Sequence, residues 1–548
     1  MQQLKVIPLG GCGEIGKNMT VVEQGDDIIV IDAGLSFPTE DMHGVDIVIP
    51  DITYLKENRK RIRGIVLTHG HEDHVGALAY IIGDLKVPVY GSRLTIELAK
   101  RKLYERFPDK ELNLKVMKPE ESFTLGSFEV EPIHVTHSLP DSYAIALWTQ
   151  IGIVLFTGDF KFDFTPIDGK LTEMSRLGEL GDEGVALLLS DSTNSESVGW
   201  SPSERVVTDG FRNVFANAQG RVLITTFASN IHRMQQAFNV AQEMGRMVAV
   251  AGRRMEQTIS IANSLKMIQL PEDTYIPLEG CDKFDDREIV ILTTGSQGEP
   301  LAALNRMANE EYPRMKIRPG DTVVYSARPI PGNEAAIWQT VNRLFRQGAK
   351  VVYGRDAKVH VSGHAYAEEL KMMINLTRPH YIAPVHGEPR HQAAYSRLAQ
   401  EMGYSEESII VLDNGSQLVV EKDGAYMADR VPCGRVLVDS SGYAGVTDEL
   451  LRDRRNLASD GVVFVNVAID SDAGKIVGSP DLVTKGVMAP NGEIDRLKEV
   501  LDDLLRNLSR AELKDTAGVH QDVSDVTRKF LKKTMNKRPL VVASVVDV

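Results

Sequence analysis

The chain has 548 residues, 43% of them hydrophobic, more than one core can organise when single cores stop growing near about 250–300 residues, so two or three domains are expected. Its 62 basic and 76 acidic residues give a formal charge of −14, which would repel a polyanion if spread evenly, although bound divalent cations and a locally basic groove can reverse that sign where it matters. Cys12, Cys281 and Cys433 are far apart and support neither a disulfide framework nor a thiolate cage, so any metal must be held by His and carboxylate groups.

The opening MQQLKVIPLGG runs straight into strand-like sequence without a charged and apolar leader. No apolar run approaches the roughly 20 residues that cross a bilayer. A soluble, cytoplasmic protein with no membrane partner is expected. From Leu4 to about Ser190 the apolar runs KVIPLG, IIVID, GIVLTHG, VPVYG, FEVEPIHVTH, YAIALW, IGIVLFTGD and VALLLSD read as strands, with helices at His74–Gly83 and Arg93–Phe107. From about Ser203 to Gly354 the β-branched runs RVLITTF, MVAVAGR, EIVILTTGS, DTVVYSA and AKVVYG alternate with helix-length segments, the pattern of an inserted parallel sheet covered on both faces. Histidine-rich sequence of the first kind resumes at Lys358–Glu388. The polar stretch Ser440–Asp460 reads as a turn-rich linker. Beyond it VVFVNVAID, KIVGSPDLVTKGV, two helical segments and PLVVASVVDV suggest a small α+β domain. The expected domains are residues 1–205, 206–355 as an insertion, 356–445 completing the first, a linker at 446–462, and 463–548.

The strongest chemical signal is Thr68-His69-Gly70-His71-Glu72-Asp73-His74 directly after the strand GIVL. Side chains at i and i+2 of an extended segment share a face, so His69 and His71 can reach one metal while Asp73 and His74, at the turn into the next helix, reach another. Two metals need more ligands than this segment holds. His137 in HVTHSLPDS, Asp159 in LFTGDFK and His386 in APVHGE each follow an apolar strand, where ligands from successive strands can meet. Asp32 in IIVIDAG holds an equivalent position and suits either ligand orientation or a structural role.

The order Asp32, His69-x-His71-x-Asp73-His74, His137, Asp159 resembles the metallo-β-lactamase fold. Asp191 in LLLSDSTN, His364 in HVSGHAY and His386 in PVHGE resemble its β-CASP nucleic-acid-processing branch, and PLGGCGEIGKN with HVSGHA and PVHGE resembles bacterial ribonuclease J over nearly the whole chain. Cys12 departs from the glycine-rich start expected there. The resemblance implies an αββα sandwich with an inserted parallel-sheet α/β β-CASP domain and a small α+β C-terminal domain. It assigns His69, His71 and His137 to one metal and Asp73, His74 and His386 to the other, with Asp159 bridging and Asp32 supporting the ligands. The metals it implies are zinc or manganese, both of which imidazole and carboxylate accept. A structural calcium is implied near His43, Val45 and Asp439.

The implied activity is metal-dependent cleavage of RNA, both internal and 5′-to-3′, in RNA processing and decay. A hydroxide generated by the two cations attacks the phosphate, and Asp73 takes part as a ligand at the reacting centre. His364 serves as general acid, held in its useful tautomer by Asp191, or else as a phosphate-binding or structural histidine. His360, Val361, Ser362, Gly363 and His364 would line substrate phosphates. A pocket for a 5′ monophosphate on single-stranded RNA would draw on Ser362 and Gly363 and on Ser229-Asn230-x-His232-Arg233, where the helix N-terminus favours anions, although the latter also reads as an ordinary capped helix. The basic run Arg528–Arg538 reads as a solvated helix face rather than an RNA contact, with homodimerisation or higher assembly as the main role of its domain. The competing readings are another hydrolase on the same fold, such as a thioesterase or lactamase, a DNA-processing β-CASP nuclease, and a catalytically silent RNA-binding scaffold.

Overall fold

A computed structural model describes residues 3–548 apart from positions 40, 110, 120, 331, 355, 440, 443, 444 and 491. The chain forms two compact units, one of residues 3–37 and 48–436, the other of 38–47 and 437–548.

Two sheets organise most of the first unit. An eight-stranded sheet runs, in spatial order, through Gly424–Ala428, Gln417–Glu421, Gln3–Gly10, Met19–Gln24, Asp27–Ile31, Ile62–Val66, Val89–Gly91 and Leu114–Val116. A six-stranded sheet runs through Tyr381–Val385, Val185–Asp191, Gly152–Phe156, Ser142–Thr149, Phe128–Val135 and Phe123–Leu125. Because side chains alternate across a strand, each sheet offers two apolar faces. Val6, Val22, Ile29 and Val66 of the first sheet share a core with Val130, Ile145, Val154 and Leu189 of the second. The alternate residues Ala144, Ala146, Leu155, Leu188 and Ile382 pack instead on Leu177, Leu370, Ile374 and Tyr395 of the helices Met174–Glu183, Ala367–Thr377 and Pro389–Glu401. The result is the expected αββα sandwich.

Five strands, in spatial order Met247–Ala251, Ile289–Thr293, Val222–Thr225, Thr322–Tyr325 and Lys350–Val352, form the expected all-parallel sheet. Helices cover both faces: Phe211, Phe238 and Ile259 lie on one, Leu304, Ile337 and Leu344 on the other. The early helices are Arg93–Arg106, as read, and a region read as one helix that is two, Glu72–Val75 and Leu78–Leu85, separated at Gly76–Ala77.

In the second unit the strand Val462–Asp470 pairs with Lys475–Ile476, Asp481–Lys485 and Leu540–Asp547, and the helices Glu493–Arg506 and Thr516–Met535 bury Leu497, Leu501, Val523 and Leu531 against it. Arg528, Lys529, Lys532 and Lys533 are exposed on the second of these helices, the solvated face expected. The segment read as a linker requires correction. Residues Asp448–Asp460 are helix, capped by the Thr447 side chain, which accepts from the Leu450 N–H; Ser440, Tyr443 and Ala444 lie outside the described residues.

The strand-end loops of the sandwich are packed backbone to backbone. Ala33 N–H donates to His74 O at 2.7 Å, Leu35 N–H to Glu72 O at 3.1 Å and Asn18 N–H to Asp73 O at 3.0 Å. Between them sits Gly34, where a Cβ would lie 1.6 Å from Asp73 O. A backbone atom cannot swing aside as a side chain can. Gly34→Ala is therefore expected to destabilise the chain by about 1–3 kcal/mol, read as a lowered urea midpoint; an unchanged midpoint would contradict this packing.

Candidate metal centre

Parallel strands deliver their loops to one edge, and the site is built there. Asp32 follows Asp27–Ile31, His69 follows Ile62–Val66, His137 follows Phe128–Val135, Asp159 follows Gly152–Phe156, Asp191 ends Val185–Asp191, and His386 follows Tyr381–Val385. Asp32 (φ 62°) and His386 (φ 51°) adopt left-handed backbone, a conformation that costs on the order of 1–3 kcal/mol and is held only where the surroundings impose it.

Three overlapping donor sets form, of which Asp159, Asp191, His364 and His386 are one. In the other two, His69, His71, His137 and Asp159 bring one candidate ligand atom each within 4.8 Å of one another, and so do Asp73, His74, His386 and Asp159. Asp159 is common to all three: its Oδ2 lies 3.5 Å from His69 Nε2, 3.3 Å from His74 Nε2 and 3.8 Å from His137 Nε2, while Oδ1 is 2.8 Å from His386 Nδ1. His71 Nδ1 is 3.0 Å from His69 Nε2 and 3.2 Å from His137 Nε2. These ring nitrogens converge on one another, an arrangement that suits a shared cation.

The ligands are held from behind. Asp32 accepts from the Thr68 N–H at 2.8 Å and the Thr68 hydroxyl at 2.9 Å, and its Oδ2 is 2.7 Å from His74 Nδ1. His137 Nδ1 donates to Gly363 O at 2.8 Å, leaving Nε2 facing inward. Such partners fix ring orientation and tautomer in metal sites. A Cβ at Gly363 would lie 2.8 Å from the His137 ring, so only glycine permits that approach.

Electrostatics fits a cationic guest. Burial pushes the His69 and His137 imidazoles well below their ordinary pKa, so both are neutral and ready to ligate. Burial also opposes protonation of His74 and His386, but the carboxylates of Asp159, with Asp32 and Asp73 at His74 and with Asp73 at His386, outweigh it. His74 is raised well above its usual value, and His386 is pushed up to about 10. Burial acts against ionisation of Asp159, yet the imidazoles of His386 and His74 hold it well below the carboxylate range. The carboxylates thus draw protons onto nitrogens that a metal would use. His386 Nε2 is buried, lies 3.2 Å from Asp73 Oδ2 and makes no hydrogen bond of good geometry within the described residues. The donor set fits divalent cations.

In the third set, His364 Nδ1 is 2.8 Å from Asp191 Oδ2, and His364 Nε2 is 3.9 Å from Asp159 Oδ2. Burial lowers the His364 pKa less than the carboxylates of Asp191 and Asp159 raise it, so it sits above its ordinary value. Ser362 Oγ accepts from Asn194 Nδ2 at 2.8 Å and from the His364 N–H at 3.2 Å. His360 Nδ1 lies 3.4 Å from Arg233 Nη1, and Val361 is turned into the core of the inserted sheet. Asn230 caps the helix Ile231–Glu243 by accepting from the Arg233 N–H at 3.0 Å, and the Ser229 carbonyl accepts from the Ile231 N–H. Arg233 is fully buried and paired with Glu204 at 3.0 Å, and His232 Nε2 lies 3.5 Å from Asp168. His43, Val45 and Asp439 belong to the second unit, where Asp46 N–H donates to Val438 O at 2.9 Å and His43 O accepts from Arg454.

Two residues at the centre were not singled out in the sequence. Asn18 Nδ2 contacts His74 Nε2 at 3.1 Å and Asp73 O at 3.2 Å, and Asn194 braces the His364 loop; Asn18 ends GEIGKN and Asn194 ends LLLSDSTN, so membership of those motifs was the signal available, although neither has ligand spacing to mark it.

Family models match the chain as follows: a metallo-beta-lactamase superfamily domain at residues 12–198, a ribonuclease J beta-CASP domain at 219–344, a Zn-dependent metallo-hydrolase RNA specificity domain at 349–411, and a ribonuclease J C-terminal domain at 449–548. Among curated relatives, ribonuclease J of Synechocystis sp. is 47% identical over 89% of this chain and 76% of its own length. Ribonuclease J2 of Bacillus subtilis is 38% identical over 100% and 99%, and ribonuclease J of Thermus thermophilus is 40% identical over 99% and 95%. A crystal structure of a protein of unknown function from Enterococcus faecalis V583 shares the fold, with a TM-score of 0.54 at 16% identity over 76% of this chain and 100% of that one. With a metallo-β-lactamase sandwich, an inserted β-CASP sheet and a C-terminal domain all matched, and relatives aligned nearly end to end, the chain belongs to the ribonuclease J family.

Proposed function

We propose that the chain is a metal-dependent ribonuclease that hydrolyses RNA phosphodiester bonds, both internally and from the 5′ end. The observation that carries this reading is the meeting of two His/Asp donor sets at Asp159 with the His364–Asp191 pair alongside. His69, His71 and His137 would hold one divalent cation, and Asp73, His74 and His386 the other, with Asp159 common to both sets; zinc would suit the imidazole-rich set, and manganese is the alternative. When bound, such a pair lowers the pKa of a shared water toward neutrality and neutralises charge developing on the phosphate.

The chain's own groups do the rest. Asp32 and the Gly363 carbonyl keep the His74 and His137 rings turned inward. Asp191 holds His364 Nδ1, so the imidazolium presents its Nε2 proton, and that proton goes to the leaving 3′-oxygen. Asp73 lies between His74 and His386 at the reacting centre, 3.7 and 3.2 Å away. The segment His360–His364 adjoins this centre through Gly363 and His364, and we assign its polar groups to substrate phosphates, with Val361 contributing backbone alone. Ser229 and Asn230 open a helix whose N-terminal amides favour a 5′ monophosphate; Asn230 already spends its oxygen on the cap.

We assign the domain boundaries to residues 205/206, 355/356 and 445/446. No helix among the described residues is long and apolar enough to cross a membrane, and we place the protein in the cytoplasm. A homodimer or larger assembly would appear as a multiple of the 60.5 kDa chain mass in sedimentation equilibrium, where a monomer would refute it. A structural calcium held near His43, Val45 and Asp439 would raise the melting temperature on calcium addition, and no shift would count against it.

Three outcomes test the reading. Metal-loaded chain should digest single-stranded RNA, and Asp159→Asn should lower the rate on the order of 10³-fold or more while reducing bound metal; wild-type rates in that variant would overturn it. RNA bearing a 5′ monophosphate should disappear faster than the same RNA with a 5′ triphosphate, and equal decay would remove the pocket. Activity that needs protonated His364 is present below its pKa and lost as pH rises through it. Asp191→Asn removes a charge that raises this pKa, so the alkaline limb of kcat should move to lower pH and kcat fall about tenfold or more; an unmoved limb would speak against the acid role.

A further inference from the structure

The residues bearing His364 have no regular structure until the helix Ala367–Thr377 begins, so their placement must come from outside the segment. One buried carboxyl group supplies it. Glu369 is fully buried. It accepts from the Tyr366 N–H at 2.8 Å, two residues beyond His364, and from the Phe162 N–H at 2.9 Å, three residues beyond Asp159. It also accepts from the Ser201 N–H at 2.7 Å and the Ser201 hydroxyl at 2.8 Å. Each oxygen takes two bonds: Oε1 those from Phe162 and the Ser201 hydroxyl, Oε2 those from the Tyr366 and Ser201 amides. The adjoining Ala365 N–H donates to Phe160 O at 2.7 Å.

A helix cap alone would need only the bond to Tyr366. The remaining three reach segments 207 and 168 residues away in sequence, and one of those segments begins at the carboxylate shared by both donor sets. A buried acceptor with four convergent donors has one satisfied geometry, because rotating either oxygen leaves amides unpaired.

We propose that Glu369 is a positioning residue for catalysis: it fixes the backbone that carries His364 against the loop that carries Asp159, and so sets the distance between proton donor and reacting phosphate. This inference rests on the reading of His364 as the general acid. Glu369→Gln keeps the shape but turns one oxygen into an NH₂ group facing two donors, letting the His364 segment shift.

The experiment compares two substrates, RNA and uridine 5′-(p-nitrophenyl phosphate), whose p-nitrophenolate departs without a proton. In Glu369→Gln, kcat on RNA is expected to fall on the order of 10- to 100-fold, with KM and bound metal unchanged, while hydrolysis of the nitrophenyl ester falls less than about twofold. His364→Ala, run in parallel, should show the same split. If Glu369→Gln slows both substrates equally while His364→Ala keeps its split, Glu369 only maintains the fold and the inference is overturned. If His364→Ala shows no split, the acid reading fails and takes the inference with it. Should Glu369→Gln not fold, Glu369→Asp, which keeps the carboxyl group at shorter reach, carries the same expectation.

Discussion

Asp159 cannot occupy its position without positive charge around it. The side chain is 2% exposed, and an ion in such surroundings loses hydration worth several kcal/mol even after relaxation. Five imidazoles, from His69, His74, His137, His364 and His386, stand within 4 Å of its oxygens. In the absence of metal only protons on some of these rings can balance it, and the rings it protonates are lost as ligands. Divalent cations resolve the conflict, since they neutralise the carboxylate while leaving the imidazoles neutral. The αββα sandwich can be understood as the scaffold that makes this crowding possible, because its strands end together and bring residues from positions 32 to 386 to one edge.

The inserted sheet is joined to this centre by a second buried charge. Arg233 pairs with both oxygens of Glu204 and also donates to Ser326 O and Val359 O, so it touches the chain where the insertion begins, its sheet, and the segment leading to His364. A buried ion pair adds little net stability once desolvation is counted, but it tolerates few geometries. Together with Glu369 it holds the His364 segment from both ends.

How much of this was legible in the sequence follows from how local each interaction is. His69, His71, Asp73 and His74 lie within six residues, and their spacing alone implies two metals. The five strands of the inserted sheet are short apolar runs rich in β-branched residues, with only the edge strand Lys350–Val352 substantially exposed, so each announced itself. His137, Asp159 and His386 could be nominated only as residues after strands; it was the family resemblance that assigned them to particular metals. Glu369 and Asn18 were not singled out because the partners that give them their roles, Phe162 and Ser201 for Glu369 and Asp73 for Asn18, lie from tens to more than two hundred residues away. The helix Asp448–Asp460 was mistaken for a linker because only Leu451 within it is buried, leaving too little apolar periodicity to separate a polar helix from a loop. Asn230 carried the opposite ambiguity: a cap and an anion site use the same residue type, and in the structure its oxygen caps the helix.

The most direct measurement is anomalous diffraction at the zinc edge from crystals grown with zinc. The account predicts two peaks on either side of the Asp159 carboxylate, one among His69, His71 and His137 and the other among Asp73, His74 and His386. A single peak remote from Asp159, or fully occupied zinc bound by other residues while these rings turn apart, would contradict it.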